Sequence, residues 1–301
     1  MYDLIIVGGG PAGLTSAIYA LRKRLDVFLV SQDLGGKVNY RLELPNVETH
    51  QVIRGVEVVE KFWRELDYLE FARHLEPVTT IEKDGDVFTV TTASGERLEG
   101  RSVIFATGSR VKQLGVPGEK AFMGRALSYS AASYAPLFLG KRTAVIGDGP
   151  LALRSVAELA LVSEKVHMVV LSSEVMGSPI VQRLASSAKV VIWEGYAVKE
   201  IRGTDYAERI VVETPDGETA EIVVDGIFIE LGLIPNSDPL KGLAKLDDEG
   251  RVVVDKLNRT SCSGLFAAGD VTDAYAEQVL IAVGEGAKAT LSAYEYLLPN
   301  L

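Results

Sequence analysis

Two glycine-rich turns have the residue types and spacing to seat phosphate groups. They are Gly8-Gly9-Gly10-Pro11-Ala12-Gly13 and Gly147-Asp148-Gly149-Pro150-Leu151-Ala152. The first follows the apolar run Tyr2-Asp3-Leu4-Ile5-Ile6-Val7, the second Thr143-Ala144-Val145-Ile146. In the first turn Gly8 allows the tight bend, Gly10 lets a pyrophosphate approach the backbone, and Gly13 lets the next helix pack closely on the strand. That helix, predicted over about 12–24, directs its N-terminal amides and partial positive charge at the phosphates. Gly147, Gly149, Pro150 and Leu151 are the matching elements of a second nucleotide pocket. Near the C-terminus, Ala267-Ala268-Gly269-Asp270 carries a carboxylate out of a short apolar run. A lone glycine turn is weak evidence, but two, each joining a strand to a helix, imply two nucleotide pockets.

The elements that position these turns follow from the hydrophobic pattern. The strand before each turn is apolar without alternation, so it belongs to a parallel sheet covered on both faces. In residues 1–113 the pattern predicts a helix over 56–71 and a hairpin of 86–92 and 96–98 about Ser94-Gly95. A separate buried strand, 102–108, ends in a Thr-Gly turn. Residues 114–237 repeat the plan, with a strand at 166–171 and a hairpin about Pro215-Asp216-Gly217. Residues 238–301 end in a long helix over about 277–298. The fold class is therefore α/β, with two Rossmann-like domains, the second inserted into the first: 1–113 with 238–301, and 114–237.

Composition narrows the function. The chain has 301 residues, 47% hydrophobic, a net charge of −10 and one cysteine, Cys262. No apolar run approaches the roughly 18 residues of a membrane span. The first strand starts at once, leaving no room for a signal peptide, so a cytoplasmic location is expected. The acidic balance argues against a general nucleic-acid binder. A single cysteine provides neither a disulfide nor a dithiol centre, and a buried, inert thiol is expected. No metal is expected.

The chain resembles the low-molecular-weight thioredoxin reductases over essentially its whole length. The resemblance is carried by Gly8-Gly9-Gly10-Pro11-Ala12-Gly13-Leu14, Leu34-Gly35-Gly36-Lys37 and Ile104-Phe105-Ala106-Thr107-Gly108. It continues in Gly115-Val116-Pro117-Gly118-Glu119, Gly232-Leu233-Ile234-Pro235-Asn236 and Ala267-Ala268-Gly269-Asp270-Val271. It implies FAD in the outer domain and a homodimer. It assigns the cofactor to Gly8, Gly10, Pro11, Ala12 and Gly13, to Ser31 and Gln32, to Gly36 and Lys37, and to Asn46 and Val78. It further assigns Ala106, Thr107, Gly108, Gly269, Asp270, Gln278 and Val279 to the same group. Ser31 stands where the family often has an acid for the adenosine ribose; Asp33 is the alternative, as a ribose ligand or as a turn cap. Lys37 stands where the family usually has Gln, and Glu277 where it has Arg. A negative charge there should disfavour the anionic reduced flavin by some tenths to about 1 kcal/mol if exposed.

Two departures bear on function. The family's redox-active Cys-x-x-Cys falls on Ser130-Ala131-Ala132-Ser133. Serine has no accessible thiolate, so the thiol relay is absent. The family's basic cluster for the NADPH 2′-phosphate falls on Val170-Leu171-Ser172, with Met176 at its last place, and no Lys or Arg lies between Lys165 and Arg183. Apolar Val170, Leu171 and Met176 would suit an uncharged ring or an empty pocket, and Glu174 is the candidate for an NADH ribose. Three readings stay open: an FAD oxidoreductase served by a protein donor such as ferredoxin, a non-catalytic nucleotide-binding regulatory module, and a slow NAD(P)H oxidase. An acidic ferredoxin would need Arg22, Lys23, Arg24 and Arg41 to form a basic docking patch.

Overall fold

The computed structural model describes residues 1–40, 42–45, 64, 73–214 and 216–300. The helix expected over 56–71, apart from Arg64, together with Asn46, Arg41 and Pro215 of the second hairpin, lies outside the described residues. The chain divides into two compact units, Met1–Asn39, Arg54–Arg110 and Ile234–Leu301 in one, Tyr40–Ile53 and Val111–Leu233 in the other.

The first unit is built on β1 (Tyr2–Val7), which lies parallel between β2 (Val27–Ser31) and β6 (Arg97–Phe105). With β3 (Arg73–Leu75), β4 (Val78–Asp84), β5 (Val87–Thr92) and β17 (Leu265–Ala267) it forms a seven-stranded sheet of order β3-β2-β1-β6-β5-β4, with β17 also on β6. Alternate residues of β1 feed two separate cores. Leu4 and Ile6 pack with α1 (Pro11–Arg22) and the C-terminal helix α6 (Val279–Leu297). Ile5 and Val7 pack with Ile81, Phe88 and Val90 of the antiparallel strands. This two-sided burial is why the strand is apolar from Leu4 to Val7.

The stretches read as a hairpin arm and a separate buried strand are one strand, β6. Its first half pairs antiparallel with β5, from Phe88↔Gly100 to Thr91↔Arg97, and its second half runs parallel to β1. Gly100 sits at the changeover, where a Cβ would lie 2.9 Å from Ile5 Cδ1.

The second unit carries a parallel sheet of order β11-β10-β9-β15-β8. It is made of β8 (Leu127–Ser128), β9 (Arg142–Ile146), β10 (Lys165–Val170), β11 (Val190–Glu194) and β15 (Gly226–Ile229). Short helices α2 (Glu119–Phe122) and α3 (Ala131–Tyr134), the longer α4 (Pro150–Val162) and α5 (Pro179–Ala185) accompany it. An antiparallel sheet of β12 (Ala197–Gly203), β13 (Ala207–Glu213) and β14 (Thr219–Val223) completes the unit. Leu42 and Leu44, read with the first domain, belong here: both are buried in this unit's core, and the Glu43 amide donates to Gly124 O at 2.7 Å. The short strands β7 (Ser109–Val111) and β16 (Leu233–Pro235), where the chain leaves the first unit and returns to it, pair with each other. Among the described residues no helix is long and apolar enough to cross a membrane.

The first glycine turn makes the closest backbone approach among the described glycines of its unit. A Cβ on Gly13 would lie 1.8 Å from Gly8 O. Gly13→Ala is therefore expected to push α1 off β1 and to lower stability by about 2–3 kcal/mol, read as a lower urea midpoint. A midpoint within error of the unsubstituted protein would contradict this packing.

Candidate functional site

The first glycine turn combines tight packing on one side with an open cradle on the other. Gly8 has φ +115° and a Cβ there would lie 2.2 Å from Ala106 O, so no side chain fits. Gly9 is closed off in the same way by Asp33 O. Gly10, the N-cap of α1, has ordinary extended backbone and no described atom within 4 Å of where its Cβ would stand. Among the described residues no side chain caps this helix, and Pro11 occupies its first turn. The amides at the α1 N-terminus are therefore offered to a ligand rather than to the chain.

Other expected residues gather about this turn. Gly36 (φ +59°) brings its backbone over it, its Cβ position being 3.4 Å from Gly10 Cα. The Lys37 ammonium meets Asp270 Oδ2 at 2.7 Å and donates to Ser109 Oγ at 2.8 Å. Gly269, φ +80°, donates its amide to Glu285 Oε2 at 2.8 Å. Burial pushes the Glu285 carboxyl above the usual carboxylate range, against the Gly269 amide. Asn236 clasps the turn after β6: its Nδ2 donates to Thr107 O at 3.0 Å, its amide to Gly108 O at 3.0 Å, and its carbonyl accepts from Thr107 Oγ1 at 2.9 Å.

Ser31 is buried, and its hydroxyl donates to Asp33 O at 2.6 Å. Asp33 Oδ1 accepts from the Gly36 amide at 3.0 Å, the turn-capping alternative. Gln32 is exposed. Val78 opens β4, half-buried and opposite Thr92. Gln278 is the uncapped N-cap of α6 and is exposed, as is Glu277; Val279 begins the helix. Lys23 places its ammonium 4.3 Å over the Tyr294 ring.

The second turn repeats the pattern within its own unit. Gly147 has φ +146° and a Cβ position 2.5 Å from Glu230 O. Gly149, the N-cap of α4, has open space at its Cβ position and no side-chain cap among the described residues, and Pro150 and Leu151 begin the helix. Beyond the turn, Val170 is fully buried and Met176 packs on the same core, which leaves Leu171, 40% exposed, as the apolar residue of the three open to solvent. Val170 ends β10 and faces the core. The side chain of Glu174 lies outside the described residues. Arg154 is exposed on α4.

The serines stand together at the start of α3. Ser130 Oγ and Ser133 Oγ are 2.9 Å apart, sharing a hydrogen bond. The next residue, Ala131, donates its amide to Glu230 Oε1 at 2.9 Å, and Ser155 of α4 donates to the same oxygen at 2.8 Å. Burial raises the Glu230 carboxyl to about 7 against these hydrogen bonds. Glu119 is buried too, but saturated by Leu114 N, Gly115 N and Tyr129 Oη at 2.9, 2.6 and 2.8 Å.

Elsewhere, Cys262 is a half-buried free thiol whose pKa burial raises, an unreactive setting. His74, Glu76 and Glu96 bring donor atoms within 4.8 Å of one another. Glu76 accepts from Ser94 N at 2.5 Å and Ser94 Oγ at 2.9 Å, so it ties β3 to the hairpin turn. Glu230, Glu285 and the Lys37–Asp270 pair were not singled out from sequence as interacting groups. Glu230 is signalled only as a carboxylate ending the apolar run of β15, Glu285 only as the acid between Gly284 and Gly286.

Comparison with known proteins fits this geometry. The profile of the pyridine nucleotide-disulphide oxidoreductases matches residues 2–286. The F component of the alkyl hydroperoxide reductase of Pseudomonas putida is 34% identical over 309 aligned residues, covering 99% of this chain and 58% of that protein. The chain spans about three fifths of the length of the curated relatives it matches. A thioredoxin reductase structure from Streptococcus pyogenes superposes with a TM-score of 0.89 at 33% identity, covering 99% of both chains. One from Giardia duodenalis gives 0.87 at 26% identity and the same coverage. With two glycine cradles on two Rossmann-like folds, and a serine pair at the start of α3, the chain belongs to the pyridine nucleotide-disulphide oxidoreductase family and is thioredoxin reductase-like.

Proposed function

We propose that the protein is an FAD-binding oxidoreductase of the thioredoxin reductase type that works without a thiol relay and without NADPH. The observation that carries the reading is the cradle at Gly10. Its neighbours Gly8, Gly9 and Gly13 are glycines because the chain leaves no room for a side chain, whereas Gly10 faces open space at an uncapped helix N-terminus. That space fits a pyrophosphate. Gly8, Gly10, Pro11, Ala12 and Gly13 would hold it through backbone amides, while Gly36, Lys37, Asp270 and the turn at Ala106, Thr107 and Gly108 would line the rest. Bound FAD supplies storage for a pair of electrons. The chain's residues do the remainder: the Lys37–Asp270 pair fixes a carboxylate beside the cradle, and Asn236 holds the Thr107-Gly108 turn rigid.

The serine pair sets what the protein does not reduce. Two hydroxyls 2.9 Å apart cannot form a disulfide or accept electrons. The inner turn keeps its anion-binding backbone, but the strand that follows offers no cation to a 2′-phosphate. A small electron-carrier protein such as a ferredoxin is the donor class this reading favours. Lys23, stacked on Tyr294, contributes its charge to a basic docking patch only at the cost of that contact. A homodimer in the cytoplasm completes the reading.

Anaerobic titration of the purified protein, with its flavin identified by mass spectrometry, tests it directly. Bleaching by reduced ferredoxin, with little by NADPH or NADH, is expected from FAD-loaded protein; FMN, or rapid bleaching by NADPH, overturns it. The double variant Ser130→Cys, Ser133→Cys should oxidise to an internal disulfide, since the hydroxyls that the sulfurs would replace already touch, 2.9 Å apart. Mass analysis should show the loss of two hydrogens, while the parent protein turns over no thioredoxin. Calorimetry should give an NADPH dissociation constant no tighter than about millimolar, roughly 4 kcal/mol of residual affinity. A micromolar value would mean that cations from elsewhere in the fold reach the 2′-phosphate.

A further inference from the structure

Glu230 is a buried acid for which the proposed chemistry has no use. Its residue is 2% exposed, one position beyond β15, at the carboxyl end of the second unit's parallel sheet. Its backbone oxygen abuts Gly147 of the inner glycine turn. Oε1 is shared by two donors from different elements, Ala131 N at the start of α3 and Ser155 Oγ of α4. Oε2 is buried with no hydrogen-bond partner among the described residues. A carboxylate so placed would carry half its charge on an oxygen without a donor, and removing a charge from water without pairing costs far more than removing a neutral acid. The group facing it from α4 besides Ser155 is Glu158, whose charge also opposes ionisation, and α3 contributes an amide.

We propose that Glu230 is a positioning residue held as a neutral acid, which fastens the Ser130–Ser133 segment to the helix of the inner glycine turn and loosens that hold when it loses its proton. The two hydrogen bonds at Oε1 are the fastening. They reach Ala131, between the two serines, and Ser155, in the second turn of the helix that Gly149 begins. Ionisation leaves these donors in place but puts an unpaired charge on Oε2, which is relieved only when the segment opens to water. The same acid therefore couples the inner turn to the serine pair, and the coupling runs through a proton.

The direction with pH follows from linkage. Burial raises the carboxyl in the closed segment from 4.5 to about 7. The closed form therefore binds more protons than the open form between these values. Closure is fully favoured below the lower value and weakens as pH rises to the upper one, about tenfold per pH unit. Amide hydrogen exchange of residues 130–134, corrected for intrinsic rates, should show opening about a hundredfold more frequent at pH 8 than at pH 5 in the unsubstituted protein. In Glu230→Gln, which keeps the Oε1 acceptor and cannot ionise, that pH dependence should vanish. Infrared difference spectra between the two proteins should show a neutral carboxyl band at pH 6 that fades above pH 8. Should Glu230→Gln not fold, Ser155→Ala should raise the pH at which that band fades, by removing a donor that favours the ionised form. Equal pH dependence in both proteins, or no neutral carboxyl at pH 6, overturns the proposal.

Discussion

Close backbone approach around the glycine turn is the constraint on which both units depend. It exists because glycines in each turn region have no Cβ, and the contacts are specific. Gly13 meets the carbonyl of Gly8, Gly8 meets that of Ala106, and Gly147 meets that of Glu230. Each is a backbone-to-backbone approach that side-chain repacking cannot relieve. With the helix drawn in, its N-terminus stands at the carboxyl end of the sheet, where doubly wound folds bind ligands. On its other side α1 is fixed by the same device: Gly286 of α6 approaches the Ala12 carbonyl, and Ser16 donates to the Gly286 carbonyl at 3.0 Å.

Buried and half-buried acids are the second organising feature, and they differ in how completely they are satisfied. Glu119 has three donors and pins Leu114, Gly115 and Tyr129 around the loop before α2. Burial and the Glu119 carboxylate raise the Tyr129 hydroxyl, which stays a donor. Glu285 takes the Gly269 amide and a long contact from Thr272, so it orders the turn that presents Asp270. Glu230 stands apart from these two because one of its oxygens has no partner among the described residues. Carboxylates used as clamps are satisfied; one left half-satisfied is poised to titrate.

The parts of the fold legible in the sequence are those written locally. A strand, a turn and a helix in succession need only neighbouring residues, so β1 with α1 and β9 with α4 are read from apolar runs and glycine spacing. The continuity of β6 was not legible, because its two halves take different partners and the pattern changes at Gly100. Leu42 and Leu44 gave no sign of their core, since two alternating leucines in a polar stretch fit any edge. Within the site, the glycines and the serine pair could be read as types. The pairing of Lys37 with Asp270, or of Ala131 with Glu230, joins residues far apart in the chain, and no spacing rule encodes it.

Two serines in contact would ordinarily be expected to cost a protein some order at that place, since two hydroxyls prefer water to each other. Here the loss is offset by local structure. The hydroxyls bond to each other, Ser130 N donates to Ser128 Oγ at 3.3 Å, and Ala131 N donates to Glu230. The segment thus keeps the conformation of a short helix start without a disulfide to hold it. Its order rests on hydrogen bonds worth about 1 kcal/mol each, of which the one to Glu230 is made to a group that changes charge near neutrality. The order of the segment is therefore left to hydrogen bonds, one of them made to a buried acid whose carboxyl is raised to about 7.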